Sequence, residues 1–209
     1  ELEYFRPGQT LISALQMGHL KQECINALLK KRVTALAYEF IEDKVGGMPI
    51  VRAMSEIAGS TVMLIAAEYL STVNKGKGII LGGITGVPPT KVVIIGAGTV
   101  AEYAARAALS LGAEIQVFDN HLYKLRRIKH TLGNQFYTST IDTITLSESL
   151  KNADVVIGAL RAEKGKARHV VSEEMVKNMR PDSLIIDLSI DQGGCIATSE
   201  TTSLNRPVF

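Results

Sequence analysis

Gly96, Gly98, Ala101 and Asp119 set most of the chemistry this sequence can do. The first three close the stretch KVVIIGAGTVA, Lys91 to Ala101, in the spacing G-x-G-x-x-A. Gly96 permits a tight turn, Gly98 lets the main chain approach a pyrophosphate, and Ala101 lets a helix pack close to the strand before it. The first-turn N–H groups of that helix, at Thr99 and Val100, and its positive dipole end form an anion site. Asp119 ends the next apolar run, EIQVF (114–118), 119 − 98 = 21 residues after Gly98. A carboxylate at that distance can accept from both hydroxyls of a ribose. A lone G-x-G-x-x-A is weak evidence, but strand, glycines, helix and acid in this order predict a dinucleotide site. The cofactor expected is NAD, because Asp119 places a negative charge where the 2′-phosphate of NADP would sit. Two unit charges ~4 Å apart at an effective dielectric of ~20 repel by roughly 4 kcal/mol. Lys124 and Arg126 soften that repulsion if their side chains turn toward the ribose.

A second motif, SIDQGGC (Ser189 to Cys195), lies just beyond the last predicted strand. It therefore falls at the carboxyl edge, where the reactive ring of a dinucleotide is expected. Asp191 offers a carboxylate there, and Gly193-Gly194 a loop without side chains, open to a ligand. The competing reading is simple turn chemistry, since Asp before a glycine pair is common in turns. Asp187, inside the strand, reads as a structural hydrogen-bonding group. His121, His130 and His169 share no metal-like spacing with Cys, Asp or Glu, so no metal site is expected. No Ser–His–Asp or Cys–His pairing emerges either.

The elements that must position these residues are legible from periodicity. Strand 91–95, helix 99–111, strand 114–118, helix 121–132, a weaker strand near 135–139, a helix at 146–151, strand 154–160, helix 172–179 and strand 183–189 alternate regularly. Ser172 is the expected N-cap of the last helix. Five strands with crossover helices predict a doubly wound parallel α/β sheet, a Rossmann domain of order 3-2-1-4-5. Upstream, strand 10–16, helix 19–32 and strand 33–39 predict a right-handed βαβ unit, with Leu20, Cys24, Ala27 and Leu28 on one helix face. Gln16 and Glu39 should leave it at one carboxyl edge. A long helix over 54–73, with Ile57, Leu64, Ala67 and Leu70 as buried candidates, and the Gly/Pro-rich 75–89 form the joint. The expected domains are thus a partial substrate domain, 1–53, and a dinucleotide domain, 54–209, that includes the linking helix. GGITG (82–86) is no phosphate loop, because no strand precedes it and no Gly-Lys-Ser/Thr closes it.

The chain has 209 residues, 46% hydrophobic and 21% charged, with a formal net charge of +2, too small to imply nucleic acid. Helix 121–130 carries Lys124, Arg126, Arg127 and Lys129 without an acid and reads as a solvated face. Loop 161–169 is also basic but follows a strand end, which leaves a phosphate-facing role open. Cys24 and Cys195 are far apart and fit a reducing compartment. No run reaches transmembrane length by this reading and no signal peptide opens the chain, so no membrane is expected and the cytoplasm is the default.

The ordered segments MSEIAG (54–59), GIILGG…GVPP (78–89), KVVIIGAGTVA (91–101), VFDN…KLRRI (117–128), ADVVIGAL from Ala153 and DLSIDQGGC (187–195) together resemble the alanine dehydrogenase and nicotinamide nucleotide transhydrogenase family. The aspartate of IDQGG is similar to the dehydrogenase branch. The resemblance implies NAD-dependent oxidative deamination of L-alanine to pyruvate and ammonia, through an imine that is hydrolysed, in a homo-oligomer. It implies proton or water handling by Asp191, a place near the cofactor for Ser55, and cofactor contacts from Asn120, Lys124, Ala159 and Leu160 beside the glycine loop. Where the family carries a catalytic histidine, in a pattern like LFTYLH, this chain reads LISALQ and holds Gln16. Glutamine can hydrogen-bond a substrate carbonyl but does not exchange a proton near neutral pH. His19 reads as a surface or capping residue. The family's substrate-binding arginine and lysine fall before Glu1 and its later asparagine loop after Phe209, so the chain resembles a central piece. Three functions compete: part of an alanine-dehydrogenase-like enzyme, supported by Asp191; an NAD(H)-binding regulatory module without alanine chemistry, supported by Gln16; and part of a proton-translocating transhydrogenase, disfavoured by IDQGG.

Overall fold

A computed structural model describes residues 2–16, 20–133, 136–160 and 169–209. The chain divides into two compact units, Glu1–Met54 and Ser55–Phe209.

In the smaller unit, β1 (Thr10–Ser13) and β2 (Thr34–Ala37) flank α1 (Gln22–Lys30). The strands pair in parallel from Thr10 opposite Thr34 to Ser13 opposite Ala37, the βαβ unit that the periodicity predicts. Both strands are shorter than expected. β1 stops at Ser13 rather than Gln16, because the Glu39 carboxylate replaces the ladder: its Oε1 accepts from Leu15 N (2.9 Å) and Gln16 N (2.8 Å). Gln16 sits at φ +42°. β2 gives way at Tyr38–Phe40 to a 3₁₀ turn. The expected residue His19 lies outside the described residues.

Helix α2 (Pro49–Leu70) starts at Pro49 rather than 54, since proline's fixed φ and missing N–H suit a first helical turn. Its buried residues are Gly59, Val62, Met63, Ala66 and Leu70. Of the expected buried set only Leu70 is buried; Ile57 and Leu64 are 67% and 68% exposed, so the buried stripe is rotated from the one expected. α2 also corrects the expectation that no run is long enough for a membrane. It passes by length and composition, with 22% of its most apolar window buried. That buried fifth is used within the core of the larger unit.

The larger unit continues with β3 (Lys91–Ile95), α3 (Thr99–Ser110), β4 (Glu114–Phe118), α4 (Leu122–Leu132), β5 (Tyr137–Ser139), α5 (Thr143–Lys151), β6 (Val155–Gly158), α6 (Glu173–Lys177) and β7 (Leu184–Asp187). All strand pairs are parallel, in the order β5-β4-β3-β6-β7. This is the doubly wound 3-2-1-4-5 sheet, with its switch point between β3 and β6. β3 and β6 are apolar at nearly every position because both faces are covered. Val92, Ile94, Val117 and Ile157 join Val62, Met63, Ala66, Ala104 and Ala108 in one core. Val93, Ile95, Phe118 and Val156 join Leu146, Leu150, Met175 and Ile196 in the other. Ser172 caps α6 as expected, accepting from Met175 N at 3.2 Å.

A carboxylate clasp holds the sheet's amino edge. There, buried Asp154 accepts from Lys91 N (3.0 Å) and Lys77 Nζ (2.8 Å), with Arg180 at 3.8 Å. Burial disfavours the charged Asp154 carboxyl, but these partners outweigh it and hold its pKa below the ordinary value. At the carboxyl edge lie the residues singled out by sequence.

Candidate functional site

The register brings the ends of β3, β4 and β6 level: Ile95 stands opposite both Phe118 and Gly158. The chain leaves β3 at Gly96, whose φ of +112° is open to glycine but rarely to other residues. A Cβ there would also sit 2.4 Å from the Ala159 carbonyl oxygen. Gly96 thus keeps β3 and β6 together at the switch point, besides making the turn. Gly98 differs. Its φ is an ordinary −80°, and among the described residues a Cβ there would meet no atom within 4 Å beyond its chain neighbours. No fold constraint requires glycine at 98; the open space lies directly at the start of α3.

Gly98 caps α3 without a side-chain hydrogen bond. The first intrahelical bond runs from Glu102 N to Gly98 O (3.0 Å), so the amides of Thr99 and Val100 have no helical acceptor. Ala101 is fully buried against the sheet. A missed element of the site is Gly59, where a Cβ would lie 2.4 Å from Val100 O and 2.8 Å from Tyr103 Cβ. This close crossing lays α2 against the first turn of α3. Half-buried Ser55 is one turn before Gly59 and on the same helix face.

Asp119 follows β4 and is 2% exposed. Its Oδ2 accepts from Ala97 N (2.8 Å), and its Oδ1 from His121 N (2.8 Å), with His121 Nδ1 3.1 Å away. The acid therefore builds the glycine loop besides facing it. Arg127 completes the brace by donating to Ala97 O at 2.9 Å. His121 and Arg127, both within the helix 121–130 that reads from sequence as a solvated face, belong to this network. Part of the signal was available: an acid two residues before an N-cap can accept from the N-cap's own amide, as Asp119 does from His121. Exposed Asn120 follows. Lys124 Nζ lies 5.9 Å from the Tyr123 ring centre, while Arg126 and Lys129 line a cleft of about 370 Å³ with Thr138, Ser139 and Thr140.

Ala159 leaves β6 by donating its N–H to Ile95 O (2.8 Å), and half-buried Leu160 follows. Beyond them, most of the basic loop, 161–168, lies outside the described residues. After β7, Ile190–Gln192 forms a 3₁₀ turn that leaves Asp191 exposed. The Gly193-Gly194 pair was expected to admit a ligand. Gly194 has another use: at φ +72°, its Cβ would lie 3.0 Å from Asp187 Oδ2, so the loop closes over a protein carboxylate. Asp187 is the hydrogen-bonding group expected, accepting from Ser189 and from the Cys195 and Ile196 amides. Burial first, and then the Asp187 charge, push the Cys195 thiol up to about 12, which keeps it protonated and unreactive.

A glycine turn after the first strand and an acid after the second, at the switch point of a parallel sheet, define the larger unit as a Rossmann-type domain. The chain belongs to the alanine dehydrogenase/PNT family: residues 62–209 match "Alanine dehydrogenase/PNT, C-terminal domain" and residues 1–58 match "Alanine dehydrogenase/PNT, N-terminal domain". It is 38% identical to an alanine dehydrogenase of Mycolicibacterium smegmatis over 209 residues, all of this chain and 56% of that protein. A solved L-alanine dehydrogenase superposes with a TM-score of 0.91 at 32% identity, over 100% of this chain and 58% of the other. A transhydrogenase from Sinorhizobium meliloti shares the fold, with a TM-score of 0.78 at 23% identity over 97% of this chain and 60% of the other. The chain thus spans just over half the length of these relatives.

Proposed function

We propose that the larger unit binds NAD and that the chain is the NAD-binding part of an enzyme oxidising L-alanine to pyruvate and ammonia. One observation carries the reading: among the described residues, the space at Gly98 is required by no protein contact and opens onto amides of Thr99 and Val100 that have no acceptor. A pyrophosphate fits that space by chemistry, since amides and helix dipole both favour an anion. Asp119, whose oxygens already accept from Ala97 N and His121 N with His121 Nδ1 3.1 Å away, keeps acceptor capacity for a ribose hydroxyl. When bound, NAD supplies the hydride acceptor. The chain's own part is to orient it with Gly96, Gly98, Thr99, Val100 and Ala101, and with Ser55, Asn120, Lys124, Ala159 and Leu160 around them. Asp191, exposed beyond β7, handles a proton or water beside the ring. In the smaller unit the backbone at Gln16 is held by Glu39, and the Gln16 amide hydrogen-bonds substrate. Alanine dehydrogenase relatives at full chain coverage support this reading over a non-catalytic module. Homo-oligomeric assembly and a small amino-acid substrate are parts of the same proposal.

Gly98→Ala separates ligand from fold. Thermal stability should stay near the wild-type value, because Ala suits this φ and lowers unfolded-state entropy, which offsets its weaker fit to an N-cap. Affinity for NAD by calorimetry should fall by about tenfold or more, as a methyl group displaces a hydrogen-bonded phosphate. Unchanged affinity would remove the pyrophosphate from this loop. In the full-length protein, Asp191→Asn should lower alanine-dependent NADH formation by roughly 10²–10⁴-fold.

A further inference from the structure

We propose that Asp187 is the positioning residue of the Asp191 loop: its carboxylate, clamped by donors from both sides of Asp191, fixes where that group stands at the sheet edge. The inference rests on the reading of Asp191 given above. From the near side, Ser189 donates its N–H (3.0 Å) and Oγ–H (2.6 Å) to Oδ1. From the far side, Cys195 N (2.9 Å) and Ile196 N (3.2 Å) donate to Oδ2. Between these anchors the loop is wound by its own backbone, Gln192 N to Ser189 O (2.9 Å) and Gly194 N to Ser189 O (3.0 Å). Asp191 rides on this turn, exposed and without a side-chain hydrogen bond among the described residues. A carboxylate that only ended β7 would need the near-side donors alone. The far-side pair pins residues 195 and 196, across the loop from the strand.

The surroundings are shaped for this carboxylate. A Cβ on Gly158 would lie 2.7 Å from Asp187 Oδ1, and one on Gly194 3.0 Å from Oδ2. Both neighbours therefore lack side chains where the carboxylate sits. Donors approach both oxygens, so an asparagine would turn its NH₂ toward one donor pair whichever way it faced. Asp187 is also the partner of the buried Cys195 thiol, whose Sγ lies 3.7 Å from Oδ1. The clamp thus reads out at two reporters besides Asp191: the amides of 195–196 and the thiol.

The test compares wild type with Asp187→Asn, Ser189→Ala and Asp191→Asn in the full-length protein. It follows amide exchange over 189–196, the carboxyl ¹³C signal of Asp191, NAD affinity by calorimetry, and kcat and KM for alanine oxidation. In Asp187→Asn, exchange at Cys195 and Ile196 should quicken about tenfold or more, as a buried donor loses its acceptor. The Asp191 signal should shift or broaden, and kcat should fall toward that of Asp191→Asn while KM for NAD holds. Ser189→Ala, which removes one donor and keeps the carboxylate, should show the same changes in smaller degree, and it decides the matter if Asp187→Asn does not fold. An unmoved Asp191 signal with lost amide protection would overturn the proposal, since the carboxylate would then merely close a turn; unchanged amide exchange would overturn it as well. Failure of wild type to bind NAD or oxidise alanine would instead reject the function proposed above, and the exchange and ¹³C data would still judge Asp187.

Discussion

Asp119 is the residue whose role the structure enlarges most. The spacing from Gly98 marks it as a ribose acceptor, yet its oxygens already hold Ala97 N and His121 N. A loss of NAD affinity on replacing Asp119 is therefore ambiguous by itself, because the loop it braces is lost too. Asp119→Asn should lower stability by about 1–3 kcal/mol, as one buried donor faces an NH₂ group. The NAD-to-NADP affinity ratio is the sharper measurement: it should fall once the negative charge is gone, and an unchanged ratio would remove Asp119 from cofactor choice. Gly96 was legible because the turn nearly forces its type, and Asp119 because an acid that ends a buried apolar run stands out; the turn does not force glycine at 98. The His121 ring and the Arg127 side chain were not, because their place depends on which face α4 turns beneath the loop. Gln16 was legible as a departure only through resemblance. The structure adds its φ of +42° and the Glu39 carboxylate under its amide. Burial opposes the charge on Glu39, but the amides of Glu39, Gln16 and Leu15 outweigh it and lower its pKa.

At the scale of elements, the alternation of β3 through β7 was readable because buried parallel strands are short apolar runs between amphipathic helices. α2 was readable as a helix but not in phase. With apolar residues on most of its circumference, periodicity could not say that Val62, Met63 and Ala66 face the core and Ile57 and Leu64 do not. Gly59 fixes that phase. Alanine would raise helix propensity by about 1 kcal/mol, but its Cβ would lie 2.4 Å from Val100 O. Backbone cannot yield as a side chain can, so Gly59→Ala should destabilise by about 1–3 kcal/mol, read as a lower Tm, and should loosen the start of α3. A higher Tm would mean that α2 shifts freely on α3. The amino-edge clasp offers a pH test. Asp154 has a lowered pKa when folded, so its contribution is complete above the ordinary aspartate range, near 4, and is lost as pH falls through the folded value. Asp154→Asn should be less stable than wild type at pH 7 by about 1–2 kcal/mol, partly screened because Lys77 is a quarter exposed. The difference should shrink in acid; a constant difference across that range would assign it to packing rather than charge.

Over the whole molecule, burial is unevenly spread. Every buried residue among those described lies at Gly59 or later. The smaller unit, with two four-residue strands and a nine-residue helix, has half-buried apolar positions and, among the described residues, none that is buried. Amide exchange should show weak protection in β1, α1 and β2 and strong protection in β3, β4 and β6, with melting in more than one step. A single transition with equal protection would show that the units stabilise one another fully. The sheet order bears on time as well as stability. β3 and β4 pair across one helix, but the other neighbour of β3 is β6, whose clasp joins Lys91 to Asp154 across 63 residues. Closing that span costs more chain entropy than any hairpin and comes with few local contacts to guide it. Until β6 is made, β3 has an open edge, so a ribosome-bound or freshly diluted chain passes through an interval in which a strand apolar at four of its five positions is half-dressed and prone to pair with another copy.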